Sequence, residues 1–356
     1  MSKTFWLRAE DKAFERRSPL TPAGAKQLIQ SGAKVVVEKF EDRIFKIKEF
    51  ENVGCTIAEK DSWREAPKDA FVLGLKELKE DSFELIHNHI YFAHVYKGQD
   101  GAKQVLSRYQ KGKGRLFDLE FLVNNDGRRI AAFGKWAGYV GAATAIKYFY
   151  HKQAYPDKSF PQLTSFEDKQ LLIDEILSLK ELSSKNPKTI IIGALGRCGH
   201  GANELLGDVG LNATLWDYEE TKKGGPFPEI LDHHVFLNTA LIMKKIPPFL
   251  DKETIAKKGQ LQIICDVSCD PTGELNPIPI YDKITSWDNP ILKINESLDV
   301  ISVDNLPSVL PKESSEDYSD QLLPHLIELN EKESFPEVWK NSLETFENKL
   351  NETCSS

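Results

Sequence analysis

The chain has 356 residues, of which 40% are hydrophobic and 28% charged, and its net charge is −8. That length predicts two domains, and the mixed charges without a basic tract argue against a nucleic-acid partner. With no run of about 18 apolar residues and with charges near the first residue, neither a membrane span nor a signal peptide is expected. Five scattered cysteines predict reduced thiols in a cytoplasmic protein, and we expect no metal site.

The first third of the chain alternates short apolar runs with helical patterns. Residues 5–7 are predicted as a strand, and Thr21 followed by Pro22 predicts the start of a helix that Gly32 ends. Further apolar runs predict strands at residues 35–37, 70–75, 90–93 and 116–119. This succession of strands and helices is typical of an α/β fold with a doubly wound, mostly parallel sheet.

The middle of the chain predicts a second series of the same kind. Small residues at 136–143 indicate a long helix packed closely against a neighbour, and an amphipathic helix follows at 167–179. Strands are predicted at residues 188–192, near Leu215, at 235–237 and at 263–267, and the chain after Pro311 is helical. We therefore expect two doubly wound, Rossmann-like domains with an interdomain cleft. Residues 1–135 plus 312–356 would form one domain, and residues 136–311 the other.

A glycine-rich turn carries the first functional signal. A predicted strand runs into Gly193, Gly196 and Gly199 and then into a helix, the order that a dinucleotide site requires. Asp217 ends the next predicted strand at the spacing expected for the acid that binds the adenosine ribose, which favours NAD over NADP. Two lysines shortly after it leave NADP open. The alternative is a glycine-rich turn in a fold that binds no nucleotide. We expect residues 136–311 to be the NAD-binding domain and residues 1–135 plus 312–356 the substrate and catalytic domain.

Polar side chains follow three predicted strands of the first domain. Lys76, His94 and Glu120 each come just after an apolar run. Ligands of doubly wound sheets bind beyond the carboxyl ends of the strands, and lysine and histidine suit proton transfer near neutral pH. Each residue could instead have no catalytic role: the lysine could be solvated, the histidine packed against its neighbours, and the glutamate a surface charge.

Arginines and further strand ends extend this prediction. Arg17 precedes the first predicted helix, and Arg128 and Arg129 follow a turn. Arginine forks bind carboxylates through two parallel hydrogen bonds, although arginines on turns are commonly just solvated. Residues 266–270 and 303–307 lie at predicted strand ends of the second series, where they would face the nicotinamide.

Short stretches along nearly the whole chain form a pattern more specific than the glycine turn. They are Leu7-Arg8-Ala9-Glu10, Gly74-Leu75-Lys76-Glu77, Phe92-Ala93-His94, Asp118-Leu119-Glu120-Phe121, Gly127-Arg128-Arg129, Ala132-Phe133-Gly134, Ile192-Gly193-Ala194-Leu195-Gly196-Arg197-Cys198-Gly199, Gly224-Gly225-Pro226-Phe227, Asn276-Pro277-Ile278-Pro279-Ile280-Tyr281 and Leu306-Pro307-Ser308. In these stretches the chain resembles the fungal saccharopine dehydrogenases of the NAD-dependent, lysine-forming type. More distantly it resembles alanine dehydrogenase, which shares the two-domain plan.

The resemblance implies the reaction saccharopine + NAD + water → lysine + 2-oxoglutarate + NADH, the last step of the α-aminoadipate route to lysine. By position it implies Lys76 as the catalytic base and His94 as the catalytic acid, with Glu77 and Glu120 as charges that tune them. The substrate contacts that it implies are Arg17, Gln99, Arg129, Phe133, Ser268, Cys269 and Asp270. Together with the glycine turn, the expected cofactor contacts are Arg128, Gly193, Gly196, Arg197, Gly199, Asp217, Thr221, Leu241, Val267, Val303, Asp304, Asn305 and Leu306.

Residues 239–241 and the stretch around Asp270 depart from the family. Residues 239–241 replace a stretch that carries a cysteine and an aromatic residue in relatives, which puts in doubt a disulfide from Cys198 and a ring contact to NAD at Leu241. The resemblance further implies a monomer whose partners are small molecules, namely saccharopine, lysine and 2-oxoglutarate. Two alternatives stay open: another NAD-dependent amino-acid dehydrogenase, such as one for alanine, and a non-catalytic NAD-binding sensor.

Overall fold

The computed structural model describes residues 2–354, and the chain divides into two compact units. The first unit comprises Met1–Ala132 and Pro311–Ser356, and the second comprises Phe133–Leu310. These breaks lie close to the expected ones after residue 135 and before residue 312. The assignment of substrate to one unit and of NAD to the other stays a prediction. Within residues 2–354, no helix is long and apolar enough to cross a membrane.

Six parallel strands form the sheet of the first unit. They are Thr4–Leu7 (β1), Lys34–Glu38 (β2), Thr56–Ala58 (β3), Phe71–Leu73 (β4), Asn88–Tyr91 (β5) and Arg115–Asp118 (β6), and they alternate with helices Pro22–Gln30 (α1), Ile47–Asn52 (α2) and Ala102–Gly112 (α3). The spatial order is β3-β2-β1-β4-β5-β6. The strand order therefore reverses between β1 and β4, and ligands of doubly wound sheets bind beside the carboxyl ends of the strands at such a point.

Local chemistry explains where the first elements begin and end. The Thr21 side chain accepts a hydrogen bond from the Gly24 N–H and caps α1, as predicted, and Pro22 occupies the first helical turn. Strand β5 ends at Tyr91, two residues before the predicted end at residue 93. The reason is that the Ala93 N–H donates to the Asp118 carboxylate, after which the chain turns.

The second unit contains a second, mostly parallel sheet. Its elements in chain order are Gly134–Ala154 (α4), Lys169–Glu181 (α5), Thr189–Ile192 (β7), Arg197–Asp208 (α6), Ala213–Trp216 (β8), Tyr218–Thr221 (α7), Val235–Asn238 (β9), Lys252–Ile255 (α8), Ile263–Asp266 (β10), Leu292–Lys293 (β11) and Asp299–Ile301 (β12). The order is β11-β12-β10-β9-β7-β8, and all neighbours are parallel except β11 and β12. The predicted α/β class with two doubly wound sheets is confirmed, but the sequence did not indicate the antiparallel edge strand β11.

Close packing of two helices stabilises the second unit. A methyl group added at Gly138 of α4 would overlap the backbone carbonyl of Cys198, and one added at Gly201 of α6 would overlap that of Lys135. The two backbones approach each other at positions where only glycine fits. The prediction of a long helix packed closely against a neighbour from residue 136 on is thereby confirmed.

The chain ends with two helices that return to the first unit, Pro311–Glu331 (α9) and Glu337–Cys354 (α10). On α10, Trp339 packs its ring edge against Phe117 of β6, and Phe346 packs against Tyr109 of α3. On α9, the Ser319 hydroxyl accepts a hydrogen bond from the Thr21 N–H at 3.2 Å. These contacts cover one face of the sheet and fix the start of α1.

Candidate active site

The carboxyl ends of β1 and β4 hold Lys76 in place. The Glu10 carboxylate accepts hydrogen bonds from the backbone N–H groups of Leu75 at 2.7 Å and Lys76 at 3.0 Å. The buried Arg8 guanidinium donates to the Lys76 carbonyl and lies 3.4 Å from Glu10. A buried ion pair thus fixes the backbone on which the Lys76 side chain, 14% exposed, is carried.

A buried carboxylate that sequence reasoning missed lies next to the Lys76 amino group. Glu15 Oε2 is 4.0 Å from Lys76 Nζ, and Glu15 also accepts two hydrogen bonds from the Arg17 guanidinium, at 2.8 and 2.7 Å. Although burial by itself would raise the pKa of Glu15, Arg17 and Lys76 hold it below its ordinary value. The predicted substrate contact Arg17 is therefore buried and bonded to Glu15, a role that its place in the sequence did not reveal.

His94 follows β5 and pairs with Glu77, which follows β4. His94 Nδ1 lies 2.6 Å from Glu77 Oε1, and Lys12 Nζ lies 3.6 Å from the other Glu77 oxygen. The hydrogen bond and the negative charge of Glu77 raise the pKa of His94. Burial alone would raise the pKa of Glu77, but the bond to His94 and the charge of Lys12 lower it to about 2. The pairing with Glu77 therefore favours the protonated form of the imidazole.

The end of β6 contributes two further carboxylates to this edge of the sheet. Glu120 Oε1 forms an ion pair with Lys97 Nζ at 2.7 Å. Asp118, which we did not predict as a site residue, is buried, and its carboxylate accepts backbone hydrogen bonds from Ala93 and Glu120. The structure thus brings the ends of β4, β5 and β6 together at one edge, because β5 pairs with both neighbours in parallel.

The remaining predicted contacts of the first unit lie on loops. Arg128 and Arg129 are exposed and follow a turn at Gly127, whose φ is +73°. Gln99 lies half-buried just before α3, and its side-chain oxygen accepts a hydrogen bond from the Lys97 N–H at 2.8 Å. Phe133 directly precedes α4, at the start of the second unit. Their contacts with substrate or cofactor stay predictions.

In the second unit, the glycine turn joins β7 to α6 and has the backbone that a pyrophosphate needs. Gly193 has a φ of +90°, and a methyl group there would meet Ala240 N at 2.6 Å. A methyl group at Gly199 would overlap the Gly193 carbonyl. Gly196 precedes the first turn of α6, and Arg197 is exposed there. Helix α6 begins at this turn, and the N-terminus of a helix after such a turn favours an anion in other dinucleotide-binding proteins.

Asp217 lies directly after β8 and connects this strand to the glycine turn. Its Oδ2 accepts a hydrogen bond from the Leu195 N–H and its Oδ1 one from the Tyr218 N–H, both at 2.8 Å. A carboxylate has about four lone-pair sites, so both oxygens can still accept hydrogen bonds from a ribose. Thr221 bonds its hydroxyl to the Asp217 carbonyl at 2.7 Å and so stabilises this position.

The carboxyl ends of β9, β10 and β12 hold the other predicted contacts. Buried Asp266 accepts hydrogen bonds from the Tyr281 hydroxyl at 2.6 Å and from Asn238 Nδ2 at 2.9 Å, and it anchors the Val267–Asp270 segment through the Ser268 N–H at 3.1 Å. The backbone there and in the turn after β12 includes two left-handed non-glycine residues, Cys269 and Asn305. The remaining predicted cofactor residues differ in exposure: Val303 and Leu306 are buried, whereas Asp304 and Leu241 are exposed.

Taken as a chemical set, the residues of the second unit fit a dinucleotide. The close backbone approach at the glycine turn, the helix N-terminus that follows it and the carboxylate at the end of β8 match the pyrophosphate and the adenosine ribose. Within residues 2–354, no cluster of three or more His, Cys, Asp or Glu side chains is arranged to hold a metal ion.

Comparisons with known proteins agree with this geometry. Residues 6–140 match the family "Alanine dehydrogenase/PNT, N-terminal domain", and residues 227–351 match "Alanine dehydrogenase/PNT, C-terminal domain". The chain is 43% identical to a saccharopine dehydrogenase (NAD(+), L-lysine-forming) of Schizosaccharomyces pombe over 96% of this chain and 97% of that one. The same enzyme of Emericella nidulans is 45% identical over 98% of both chains. The chain belongs to the family of fungal lysine-forming saccharopine dehydrogenases.

Solved structures extend this likeness at the level of the fold. An L-alanine dehydrogenase superposes with a TM-score of 0.67 at 12% identity, covering 99% of both chains. A transhydrogenase from Sinorhizobium meliloti superposes with a TM-score of 0.66 at 14% identity, covering 95% of this chain and 97% of that one. The saccharopine dehydrogenase family thus shares its fold with these enzymes, and the resemblance read from the sequence is confirmed.

Proposed function

We propose that the chain catalyses the NAD-dependent oxidation of saccharopine to lysine and 2-oxoglutarate, the last step of the α-aminoadipate route to lysine. The observation that carries this proposal is the nearly full-length similarity to the named saccharopine dehydrogenases of fungi. The paired acid–base groups at the carboxyl edge of the first sheet supply a chemistry that suits it.

Lys76 is proposed as the base that accepts the proton of the saccharopine secondary amine. Protonation turns the neutral amine of Lys76 into an ammonium ion, and the ionised Glu15 carboxylate 4.0 Å away stabilises that charge. Because Arg17 keeps Glu15 ionised, the carboxylate stays available through the cycle. Glu15 thus becomes a supporting residue of the proposed mechanism.

His94 is proposed as the acid for the later proton transfers. The oxidised carbon–nitrogen bond takes up water, and the carbinolamine then breaks into lysine and 2-oxoglutarate, which requires a proton on the departing nitrogen. The raised pKa of His94 favours the protonated imidazole, and Glu77 holds the ring by Nδ1. Nε2 is therefore the nitrogen that would exchange a proton with the substrate.

Substrate and cofactor contacts follow the predicted residues. Saccharopine carries three carboxylates, and we propose that Arg129 and Arg17 bind two of them, with Gln99 and Phe133 as further contacts. The exposed Arg129 has a guanidinium able to form a bidentate pair. NAD bound there would supply the hydride acceptor for the oxidation of the substrate carbon. The glycine turn would bind its pyrophosphate, and Asp217 its adenosine ribose.

One assay tests the proposal against its alternatives. The purified chain is mixed with saccharopine and NAD, or with alanine and NAD, and NADH is followed by absorbance. We expect NADH only with saccharopine. NADH from alanine alone would indicate a different amino-acid dehydrogenase. NAD binding without NADH from either substrate would indicate a sensor, and both results contradict the proposal.

We further propose that the enzyme acts as a monomer in the cytoplasm. The scattered cysteines suit a reducing compartment, since Cys55 and Cys265 are buried as free thiols. The family resemblance supports the monomer. Light scattering behind a sizing column gives the mass in solution, and a dimer mass would contradict this part of the proposal.

A further inference from the structure

Asp118, the last residue of β6, is a buried carboxylate to which the proposed mechanism gives no role. The residue is 0% exposed and lies opposite Tyr91 of β5. Its Oδ2 accepts a hydrogen bond from the Ala93 N–H at 3.3 Å, and its Oδ1 accepts one from the Glu120 N–H at 2.9 Å. One side chain thus ties together the two segments that leave the ends of β5 and β6.

The segment after β5 needs such an anchor because of its backbone. His94 has a φ of +53°, a left-handed conformation that costs a residue with a Cβ about 1 kcal/mol or more. The structure compensates for this cost with hydrogen bonds from the backbone N–H groups of the two residues that precede His94. The Phe92 N–H donates to the Leu75 carbonyl at 3.1 Å, and the Ala93 N–H donates to Asp118. The Phe92 ring also stacks on the His94 ring, with centroids 6.4 Å apart.

Only a carboxylate can serve both backbone donors at position 118. Asparagine has the same shape, but it offers a single oxygen, and its NH₂ group would face the second N–H donor. A buried N–H without a partner is costly, so the segment that lost its acceptor would move. The choice of aspartate thus matches the need for two acceptors.

We infer that Asp118 is a positioning residue. It holds His94 in the left-handed conformation that directs the imidazole to Glu77, and it also fixes the backbone at Glu120. This inference rests on the proposed role of His94. Asp118 would touch neither substrate nor cofactor. It acts through the backbone on either side of the proposed acid.

The charge of Asp118 adds a measurable signature. Burial raises the pKa of Asp118 to about 6, so the group is mostly ionised at neutral pH. Its neighbours with ionisable side chains are His94, Glu120, Tyr91, Tyr96 and Tyr318. Glu77 is the main cause of the raised pKa of His94, and the charges of Asp118 and Glu120 act in the same direction. Loss of the charge at position 118 should therefore lower the pKa of His94.

The test compares Asp118→Asn with a matched control, Glu38→Gln. Glu38 is also 0% exposed, and its carboxylate accepts backbone hydrogen bonds from Ala9, Asp61 and Trp63, but it ends β2, on the other side of β1 and β4. Both variants lose one buried carboxylate, so both should unfold at lower urea concentration. Only the variant at position 118 should alter His94.

Two readouts separate positioning from simple stability. For Asp118→Asn we expect kcat with saccharopine to fall by at least about tenfold, because a displaced His94 no longer reaches the substrate atom that it protonates. The KM for NAD should stay unchanged. In an NMR titration of histidine-labelled protein, the resonance that is absent from His94→Gln should titrate at lower pH than in the unaltered chain. Glu38→Gln should leave that titration unchanged.

An unchanged His94 titration in Asp118→Asn, with kcat reduced no more than in Glu38→Gln, would overturn the inference. If Asp118→Asn does not fold, Asp118→Ser, which is smaller and cannot overfill the site, is judged by the same readouts. If the unaltered chain forms no NADH from saccharopine, the proposed function fails. The NMR titration then still decides whether Asp118 controls His94.

Discussion

At the scale of single residues, the site depends on buried charges that hold other groups in place. Glu10 and Arg8 fix the backbone of Lys76, and Glu15 lies beside its amino group. Each of these charges has a partner of opposite sign, which is the condition under which a charge can be buried at tolerable cost. The backbone that carries Lys76 is therefore held by buried hydrogen bonds, although it lies in a loop.

Replacing Lys76 by methionine should nearly abolish turnover. The change keeps a side chain of similar length but removes the amine, and general acid–base catalysis typically contributes ~10²–10⁴-fold. We expect kcat with saccharopine to fall within that range and one limb of the pH–rate profile to disappear. Lys79→Met is the matched control, since this lysine binds Asp11 and Asp61 at the surface. Near-normal turnover of Lys76→Met with an unchanged pH profile would show that Lys76 is not the catalytic base.

Replacing Glu77 by glutamine should shift the pH dependence. Glu77 is the main cause of the raised pKa of His94, so its loss should lower that pKa and increase the neutral fraction of the imidazole at neutral pH. The limb of the pH–rate profile that needs protonated His94 should then move to lower pH. Rates measured across pH, with exposed Glu80→Gln as control, check this expectation. A limb at the same pH in both variants would contradict the assignment of His94 as the titrating acid.

At the scale of elements, close helix contact and strand order decide where functional groups lie. The backbones of α4 and α6 approach through Gly138 and Gly201, and α6 in turn begins at the glycine turn. Packing that fixes α6 therefore also fixes the N–H groups proposed to bind the pyrophosphate.

Gly138→Ala should destabilise the second unit. Its new methyl group would overlap the Cys198 carbonyl, and forcing an extra group into a packed contact typically costs about 1–3 kcal/mol. Gly207→Ala on α6 is the control, because nothing lies within 4 Å of the added methyl group there. Alanine at that helical position should stabilise by roughly 0.5–1 kcal/mol. Urea unfolding measures both changes, and equal stabilities of the two variants would contradict the close helix contact.

At the scale of the whole molecule, each unit has its own sheet and its own proposed ligand. The second unit is one continuous stretch, whereas the first is completed only when α9 and α10 return after residue 310. We therefore expect the binding of each ligand to be detectable in the unit that is proposed to bind it.

NAD should slow amide hydrogen exchange first of all around Gly193–Gly199 and should raise the unfolding temperature. A ligand at about 100 times its Kd stabilises the folded state by roughly 2.7 kcal/mol, and NADP should give less because Asp217 repels its 2′-phosphate. Asp217→Ala should reduce the rise in unfolding temperature that NAD causes. Asp251→Ala, which removes the N-cap of α8, should lower stability by about 1 kcal/mol and leave that shift unchanged. Equal shifts with NAD and NADP in the unaltered chain would contradict the ribose assignment.

Much of the local structure could be read from the sequence because its causes are local. Thr21 and Pro22 begin a helix through a cap and a preset φ, and Gly193 turns the chain because a glycine tolerates a positive φ. The spacing from the glycine turn to Asp217 follows from the length of one helix and one strand. The family resemblance then assigned roles to Lys76 and His94, which strand pairing places at one sheet edge.

Only the tertiary structure decided which charges are buried and what they hold. Glu15 pairs with Arg17 and approaches Lys76 from a segment more than 50 residues away in sequence. Asp118 meets Ala93 because β5 and β6 are neighbours, not because of any motif around either residue. The energy of a buried carboxylate depends on the few donors and cations within hydrogen-bond reach, and the folded chain brings these from distant positions. A single sequence predicts the residue types that such a site needs, whereas the packing of neighbouring strands determines their partners.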